Sequence, residues 1–176
     1  KSYGAENIPK EDGFMFFPNH QGLYDVLAII EACDSTFGVV AKKEVENVPL
    51  LKQVFACTKS YMMDREDIRQ SMQVILNVAN DVKNGKNFLI FPEGTRVEHE
   101  GALPAKGGVA VIGIRSGAQF VPVYVEGNKR LFRRTRIIFG QAYRPEATSR
   151  RPSPEEVQAI ADEVLRRSYA LGKEAR

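Results

Sequence analysis

Residues 14–25 read Phe-Met-Phe-Phe-Pro-Asn-His-Gln-Gly-Leu-Tyr-Asp. An apolar run of strand length, Phe14–Phe17, leads into a polar turn, and a helical pattern over about 23–32 follows. A strand that is apolar on both faces is typical of the buried interior of a sheet. A polar turn between such a strand and a helix is where α/β proteins place their active sites. This stretch therefore predicts the fold class and the end of the sheet that carries chemistry.

The rest of the chain repeats this alternation of short apolar strands and helical patterns. Further strands are predicted at Phe37–Val40, Ser60–Met63, Asn87–Phe91, Phe120–Val125 and Arg136–Phe139. Short helices are predicted over 48–56 and 107–116. We therefore expect an α/β fold, with residues 1–176 forming a single domain whose mostly parallel mixed sheet is flanked by helices.

Two longer helices have clearer signals. The first has an apolar stripe at helical spacing, which predicts a face packed on the core. The stripe consists of Ile68, Met72, Ile75, Val78, Ala79 and Val82. Asp67 is placed to cap its start and Gly85 to cap its end. The second helix opens at 153–156 with Ser-Pro-Glu-Glu, a capping box with proline at the first helical position.

Composition excludes several classes of protein. The 176 residues are 43% hydrophobic and 27% charged, which excludes a disordered chain and a low-complexity polymer. The net charge of +3 gives no indication of a nucleic-acid partner. Two cysteines form neither a disulfide framework nor a metal set. Nothing in the sequence addresses the oligomeric state.

The sequence begins at Lys1 without an initiator methionine or a signal-peptide pattern. No run approaches the roughly 18–20 apolar residues that span a bilayer. We expect a membrane-associating segment to precede Lys1.

His20 and Asp25 are the first candidates for chemistry. In a continuous helix a separation of five residues puts side chains roughly 140° apart. The two therefore meet only if His20 lies in the turn and the chain folds back. If they meet, the carboxylate fixes the imidazole tautomer and raises its basicity. The alternative is a structural histidine. No serine or cysteine stands in a nucleophile-elbow context, so a substrate hydroxyl is the economical nucleophile.

A second constellation, Phe91-Pro92-Glu93-Gly94-Thr95-Arg96, also follows an apolar strand. Gly94 permits close approach of the backbone, and Arg96 is able to grip a phosphate with two hydrogen bonds. The alternative is an ordinary turn with an exposed ion pair. Arg65 follows another strand and Lys106 opens a helix, so three cations could meet at one edge of the sheet. Such a meeting predicts a bound anion, most simply a phosphate.

These motifs occur in an order that resembles a known family. The ordered set is Asn19-His20 with Asp25, Arg65, Phe91–Arg96, and Val121-Pro122-Val123. It resembles the four sequence blocks of the glycerolipid acyltransferases, most of all the 1-acylglycerol-3-phosphate O-acyltransferases. The resemblance runs from about Glu6 to Gly140 and implies a glycerol-3-phosphate acyltransferase-like fold.

The resemblance also implies roles for the residues that match it. His20 would be the general base and Asp25 the group that orients it. The acceptor phosphate would be held by Arg65, Glu93, Gly94, Arg96 and, at a position that is often basic, Lys106. Val121, Pro122 and Val123 would border the acyl side of the pocket or be structural. No metal or other cofactor is implied.

The implied reaction moves a fatty acyl group from acyl-CoA or acyl-carrier protein to the 2-hydroxyl of lysophosphatidic acid, giving phosphatidic acid in phospholipid biosynthesis. Three departures from the family pattern, Gly22, Met62-Met63 and Val97, leave the acceptor open. Glycerol 3-phosphate or another lysophospholipid is the alternative acceptor. A non-catalytic lipid- or phosphate-binding module and a hydrolase are the alternative classes.

A basic segment near the end of the resemblance suggests a partner. It contains Lys129, Arg130, Arg133, Arg134 and Arg136, with Leu131 and Phe132 among them. It is either a solvated loop, a docking site for an anionic membrane surface, or a site for acyl-carrier protein or the phosphates of CoA. We expect a location on the cytoplasmic face of a membrane, peripheral or anchored through the preceding segment.

Overall fold

The computed structural model describes residues 1–22, 24–97, 103–127, 135–149 and 152–174. Within these ranges the strands are β1 Ser2–Tyr3, β2 Phe14–Pro18, β3 Gly38–Lys42, β4 Tyr61–Met63, β5 Phe88–Ile90, β6 Gln119–Val125 and β7 Ile137–Phe139. The helices are α1 Asp25–Ala32, α2 Leu51–Cys57, α3 Ile68–Lys83, α4 Gly108–Ser116 and α5 Pro154–Glu174. Among the described helices, none is both long and apolar enough to cross a bilayer.

The seven strands form one sheet in the order β1-β7-β6-β2-β5-β3-β4. The β6–β7 pair is antiparallel, and the other pairs are parallel. The predicted α/β class with a mostly parallel mixed sheet is therefore confirmed. The sequence analysis missed β1, which pairs with β7 through Ser2 and Ile137. Two residues are too few to leave an alternating pattern.

Strand β2 lies in the middle of the sheet and divides the core into two layers. Met15 and Phe17 face the layer that contains α3, α4 and α5. Phe14 and Phe16 face the layer that contains α1 and α2. Because successive strand residues point to opposite faces, an uninterrupted apolar run is what a strand covered on both sides requires.

Helix α3 has the predicted caps. The Asp67 side chain accepts a hydrogen bond from the Gln70 N–H at 3.0 Å. At the other end Gly85 adopts a φ of 83°, and its N–H donates to the carbonyl of Val82. The Lys86 N–H donates to the carbonyl of Asp81, which completes a Schellman motif.

The predicted apolar face of α3 is wrong at its first turns. Val78 and Val82 are buried, but Ile68 is 79% exposed and Met72 is 50% exposed. The start of this helix borders the cavity described below instead of covering the core, and Ile75 lines that cavity. The spacing of apolar residues is the same whether a helix face covers the core or borders a cavity.

Helix α5 begins at the predicted Pro154, and the Ser153 hydroxyl accepts the Glu156 N–H at 3.3 Å. Its buried face includes Ser168 and Tyr169. The Ser168 hydroxyl donates to the carbonyl of Phe17 at 2.7 Å, which fastens α5 to the end of β2.

Candidate active site

His20 lies in the turn after β2, and its Nδ1 is 3.1 Å from Asp25 Oδ2. Asp25 is fully buried at the start of α1. The same oxygen accepts the backbone N–H groups of Gln21 at 2.8 Å and Gly22 at 2.7 Å. The chain therefore folds back as the pairing requires. In its neutral form the imidazole therefore donates through Nδ1 to this oxygen and keeps a lone pair on Nε2.

The loop after β5 holds His20 on three sides. The His20 N–H donates to Glu93 Oε2 at 2.8 Å, and the His20 carbonyl accepts the Val97 N–H at 3.2 Å. The imidazole stacks on the Phe91 ring, with 3.9 Å between centroids and 27° between planes. Backbone and ring are thus fixed by one short segment.

Glu93 differs from the other members of the predicted phosphate-binding set, because it does not line the cavity. The residue is fully buried, and its Oε1 accepts the Tyr169 hydroxyl at 2.5 Å while Oε2 accepts from His20. Burial raises the pKa of Glu93, and the bonds from Tyr169 and His20 act against that rise. The carboxylate holds the backbone of His20 and lies away from the cavity wall, and its binding of a phosphate stays a prediction.

A cavity of about 620 Å³ opens at the carboxyl ends of β3, β4 and β5, with His20 on its wall. The predicted cations Arg65, Arg96 and Lys106 all line it. Their convergence follows from their positions after parallel strands or at a helix start. Burial lowers the pKa of Arg65, and the Glu44 carboxylate acts in the opposite direction. Their binding of a phosphate stays a prediction.

Gly94 sits between two of these cations with a φ of 72°. A Cβ there would lie 3.4 Å from Lys106 Cγ and 3.7 Å from the Arg65 guanidinium. The Lys106 N–H donates to the carbonyl of Pro92 at 2.8 Å, which ties the approach to α4 to the same loop. Glycine lets the loop turn sharply while both cations reach the cavity.

The remaining wall of the cavity is largely apolar. It includes Val26, Val39, Val45, Leu51, Phe55 and Phe91. A cationic end and an apolar part within one cavity suit an amphiphile that has an anionic head and an alkyl chain.

Val121, Pro122 and Val123 lie inside β6 and pair with β2, and none of them lines the cavity. Val121 and Val123 are fully buried. The Asn19 amide holds the end of this strand, because it donates to the Val125 carbonyl at 3.0 Å and accepts the Val125 N–H at 2.7 Å. Of the two predicted alternatives, this geometry favours the structural one.

Sequence reasoning missed three residues of the site. Lys42 lines the cavity at the end of β3 and pairs with Glu44. Thr95 also lines it. Position at the carboxyl end of a strand could have identified Lys42. Tyr169 left no signal, because a tyrosine in an apolar helical stripe is ordinarily a core residue.

The prediction on Lys129, Arg130, Arg133 and Arg134 lies outside the described residues. Arg136 is described and is largely shielded from solvent. Its side chain lies 3.4 Å from Glu126 Oε1, and its N–H donates to Glu126 Oε2 at 3.3 Å. It is paired within the sheet instead of extending toward a partner. Within the described ranges no group of three or more His, Cys, Asp or Glu is arranged to hold a metal ion.

Comparison with curated proteins gives several relatives named 1-acyl-sn-glycerol-3-phosphate acyltransferase. The 1-acyl-sn-glycerol-3-phosphate acyltransferase of Bacillus subtilis is 27% identical over 177 residues, which cover 97% of this chain and 87% of the relative. The proteins of that name from Borreliella burgdorferi and Escherichia coli are 26% and 30% identical over 77% and 63% of this chain. The matches cover about half of these two relatives, 54% and 46%.

A solved structure has the same fold. It is the 1-acyl-sn-glycerophosphate acyltransferase PlsC of Thermotoga maritima, with a TM-score of 0.76 and 24% identity. The alignment covers 99% of this chain and 72% of that one. The sequence model of the acyltransferase family matches residues 1–126, a span that contains the histidine turn, the cations and the loop after β5. With this match across most of its length, the chain belongs to the acyltransferase family.

Proposed function

We propose that this domain transfers a fatty acyl group from a thioester donor to the 2-hydroxyl of lysophosphatidic acid, forming phosphatidic acid for phospholipid biosynthesis. One observation carries the proposal: His20, which is paired with Asp25, lines a single cavity together with three converging cations. The shared name of the curated relatives supports this acceptor.

In the proposed binding step, Arg65, Arg96 and Lys106 hold the acceptor phosphate. Guanidinium groups suit this task because their planar donors match phosphate oxygens in pairs. Holding the phosphate at the cationic end brings the glycerol hydroxyl toward His20. Such positioning lowers the entropic part of the barrier.

In the proposed chemical step, His20 Nε2 takes the proton of the hydroxyl as its oxygen attacks the thioester carbonyl carbon. The C–S bond then breaks, and the thiolate leaves with the proton from the imidazolium. Asp25 stabilises the imidazolium and keeps the ring in the required tautomer. The exchange changes no oxidation state, and we propose that it proceeds without a cofactor.

The donor is proposed to be acyl-CoA or acyl-carrier protein. Both present the same thioester, and the apolar part of the cavity suits the acyl chain of either one. We propose that the reaction takes place at the cytoplasmic face of a membrane, where these donors meet a lipid acceptor.

An exposed apolar rim supports the proposed membrane contact. We define the rim as Leu50, Ile68 and Met72, which are 56%, 79% and 50% exposed. Leu50 immediately precedes α2, and the other two belong to the start of α3. The same two helices supply Leu51 and Ile75 to the cavity wall. An amphiphilic acceptor could then pass from the lipid surface into the cavity without crossing water.

The test is release of thiol from acyl-CoA or acyl-carrier protein, with and without lysophosphatidic acid in mixed micelles. Wild type should release thiol only with the acceptor. His20→Ala should lose at least about a hundredfold in turnover, the lower end of what a general base contributes. Its melting temperature should stay close to that of wild type, because the His20 N–H and carbonyl remain to bind Glu93 and Val97.

Other results of this assay would support one of the alternative functions. Release without an acceptor would indicate a hydrolase, in which His20 activates water. Faster turnover with glycerol 3-phosphate or another lysophospholipid in competition assays would replace the acceptor. Absence of thiol release with both donors, in the chain together with whatever precedes Lys1, would indicate a binding module.

A further inference from the structure

Glu93 connects two parts of the chain that lie far apart in sequence. One carboxylate oxygen accepts the His20 N–H at 2.8 Å, and the other accepts the Tyr169 hydroxyl at 2.5 Å. Glu93 is fully buried and Tyr169 is 7% exposed. A buried carboxylate requires donors for its oxygens, so its orientation depends on both.

The orientation of Glu93 matters because it fixes the backbone of His20. The His20 N–H has this carboxylate as its acceptor, and the His20 carbonyl accepts from Val97. If Glu93 rotates, the peptide that carries the imidazole loses one of its two anchors. A small displacement of a base from its substrate lowers the rate more than it lowers binding.

Next to Tyr169, helix α5 is fixed to the sheet by a second buried hydrogen bond. The neighbouring Ser168 hydroxyl donates to the Phe17 carbonyl at 2.7 Å, in the strand that leads to His20. Ser168 is fully buried. Adjacent residues of α5 thus contact the end of β2 and the loop after β5, the two segments that meet around His20.

We propose that Tyr169 is a positioning residue for His20 and acts through Glu93. The inference rests on the proposed role of His20 as the base. It extends the functional unit to α5, which lies beyond the residues 1–126 that match the acyltransferase family. Loss of the Tyr169 hydroxyl leaves the charge of the cavity unchanged and loosens the base.

The kinetic test compares Tyr169→Phe with Tyr143→Phe. Tyr143 is a matched control, because its buried hydroxyl has no hydrogen-bond partner among the described residues. Tyr169→Phe should lower kcat by about tenfold to a hundredfold, as expected for a less precisely held base, with the KM for lysophosphatidic acid within about twofold. Tyr143→Phe should keep wild-type kcat. An unchanged kcat in Tyr169→Phe, or a loss confined to KM, would overturn the proposal.

A double-mutant cycle tests whether Tyr169 acts through Glu93. Once Glu93→Ala has removed the carboxylate, Tyr169→Phe should lower kcat no further. Additive losses in the double variant would show that Tyr169 acts independently of Glu93 and would contradict the proposal.

A second readout needs no activity. The chain has two histidines, so protein labelled with ¹⁵N-histidine gives two backbone amide signals, which a His99→Gln variant assigns. The His20 amide should exchange with solvent about tenfold faster in Tyr169→Phe than in Tyr143→Phe, because its anchor opens more often. Equal exchange would refute the positioning role even if Glu93→Ala does not fold. Absence of acyl transfer in wild type would refute the proposed function and leave this measurement intact.

Discussion

Gly94 and Gly85 share a left-handed backbone conformation but have different surroundings. Their φ angles are 72° and 83°. A Cβ on Gly85 would have nothing within 4 Å, whereas one on Gly94 would contact Lys106 and the Arg65 guanidinium. The pair therefore separates the cost of the conformation from the effect of a methyl group placed in contact with the cations.

We predict that Gly94→Ala and Gly85→Ala each lower the free energy of unfolding by about 1–2 kcal/mol, the cost of a left-handed alanine. Only Gly94→Ala should also raise the KM for lysophosphatidic acid, by several fold, because its methyl group would contact both Arg65 and Lys106 and limit the conformations in which they hold a phosphate. Urea unfolding and steady-state kinetics on both variants measure this. An unchanged KM in Gly94→Ala would contradict this prediction.

At the residue scale, the sequence predicts the position of a side chain when that position follows directly from the end of a strand. His20, Arg65 and Arg96 reach the cavity because each lies beyond the carboxyl end of a strand. Glu93 belongs to the same loop as Arg96, yet it faces inward to Tyr169. Which way a loop side chain turns depends on a partner 76 residues away, and no local pattern encodes that contact.

At the element scale, α5 carries a cluster of one acidic and two basic side chains near its middle. Glu163 contacts the Arg166 and Arg167 side chains at 2.7 Å each, at spacings of three and four residues. Arg167 also lies over the Tyr143 ring, 3.9 Å from its centroid. These guanidinium groups hold the pKa of Glu163 at about 2, below its ordinary value of 4.5.

The lowered pKa fixes the sign of a pH effect. The folded state favours the ionised form, so the contribution to stability is present above about pH 4.5 and is lost as pH falls toward 2. Glu163→Gln should therefore lower the free energy of unfolding by about 0.5–1 kcal/mol at pH 7, a surface-pair value. The difference from wild type should shrink at pH 3. Urea unfolding at both pH values tests this, and a difference that widens in acid would contradict it.

At the same scale, helix α3 shows which features the spacing of apolar residues can predict. The spacing from Ile75 to Val82 located α3, and Asp67 and Gly85 located its ends, because caps are local. The exposure of Ile68 and Met72 was missed because a stripe has the same spacing over a core, a cavity or a lipid surface. Strand β1 is held by its pairing with β7. This contact is long-range in sequence, and a strand of two residues has no pattern from which to predict it.

At the scale of the whole molecule, parallel topology assembles the site. The adjacent order β2-β5-β3-β4 brings the loops after these strands to one end. The alternation of strands and helices predicted this architecture. It did not predict the apolar rim, whose place depends on how far α2 and α3 extend past the packed core.

We predict that an Ile68→Ser and Met72→Ser double variant binds anionic vesicles about tenfold more weakly than wild type, because two exposed apolar side chains no longer enter the lipid. Tyr3→Ser is the control. Tyr3 is 42% exposed on β1, at the opposite edge of the sheet from β4. Vesicle sedimentation measures both.

Equal sedimentation of the rim variant and wild type would refute the rim as a membrane contact. An Arg133→Glu and Arg134→Glu variant in the same assay tests the basic segment predicted from the sequence. Weaker binding in only that variant would assign lipid docking to the basic segment.

The bond between Tyr169 and Glu93 has a consequence for the order of synthesis. A ribosome makes the histidine turn, every cation of the cavity and the loop after β5 well before it reaches α5. A nascent chain paused short of residue 169 thus contains His20, Asp25 and the cations of the cavity but lacks the hydroxyl that donates to Glu93. If His20 is the base, as we propose, a chain that ends before residue 169 lacks this support, and we expect it to transfer acyl groups poorly.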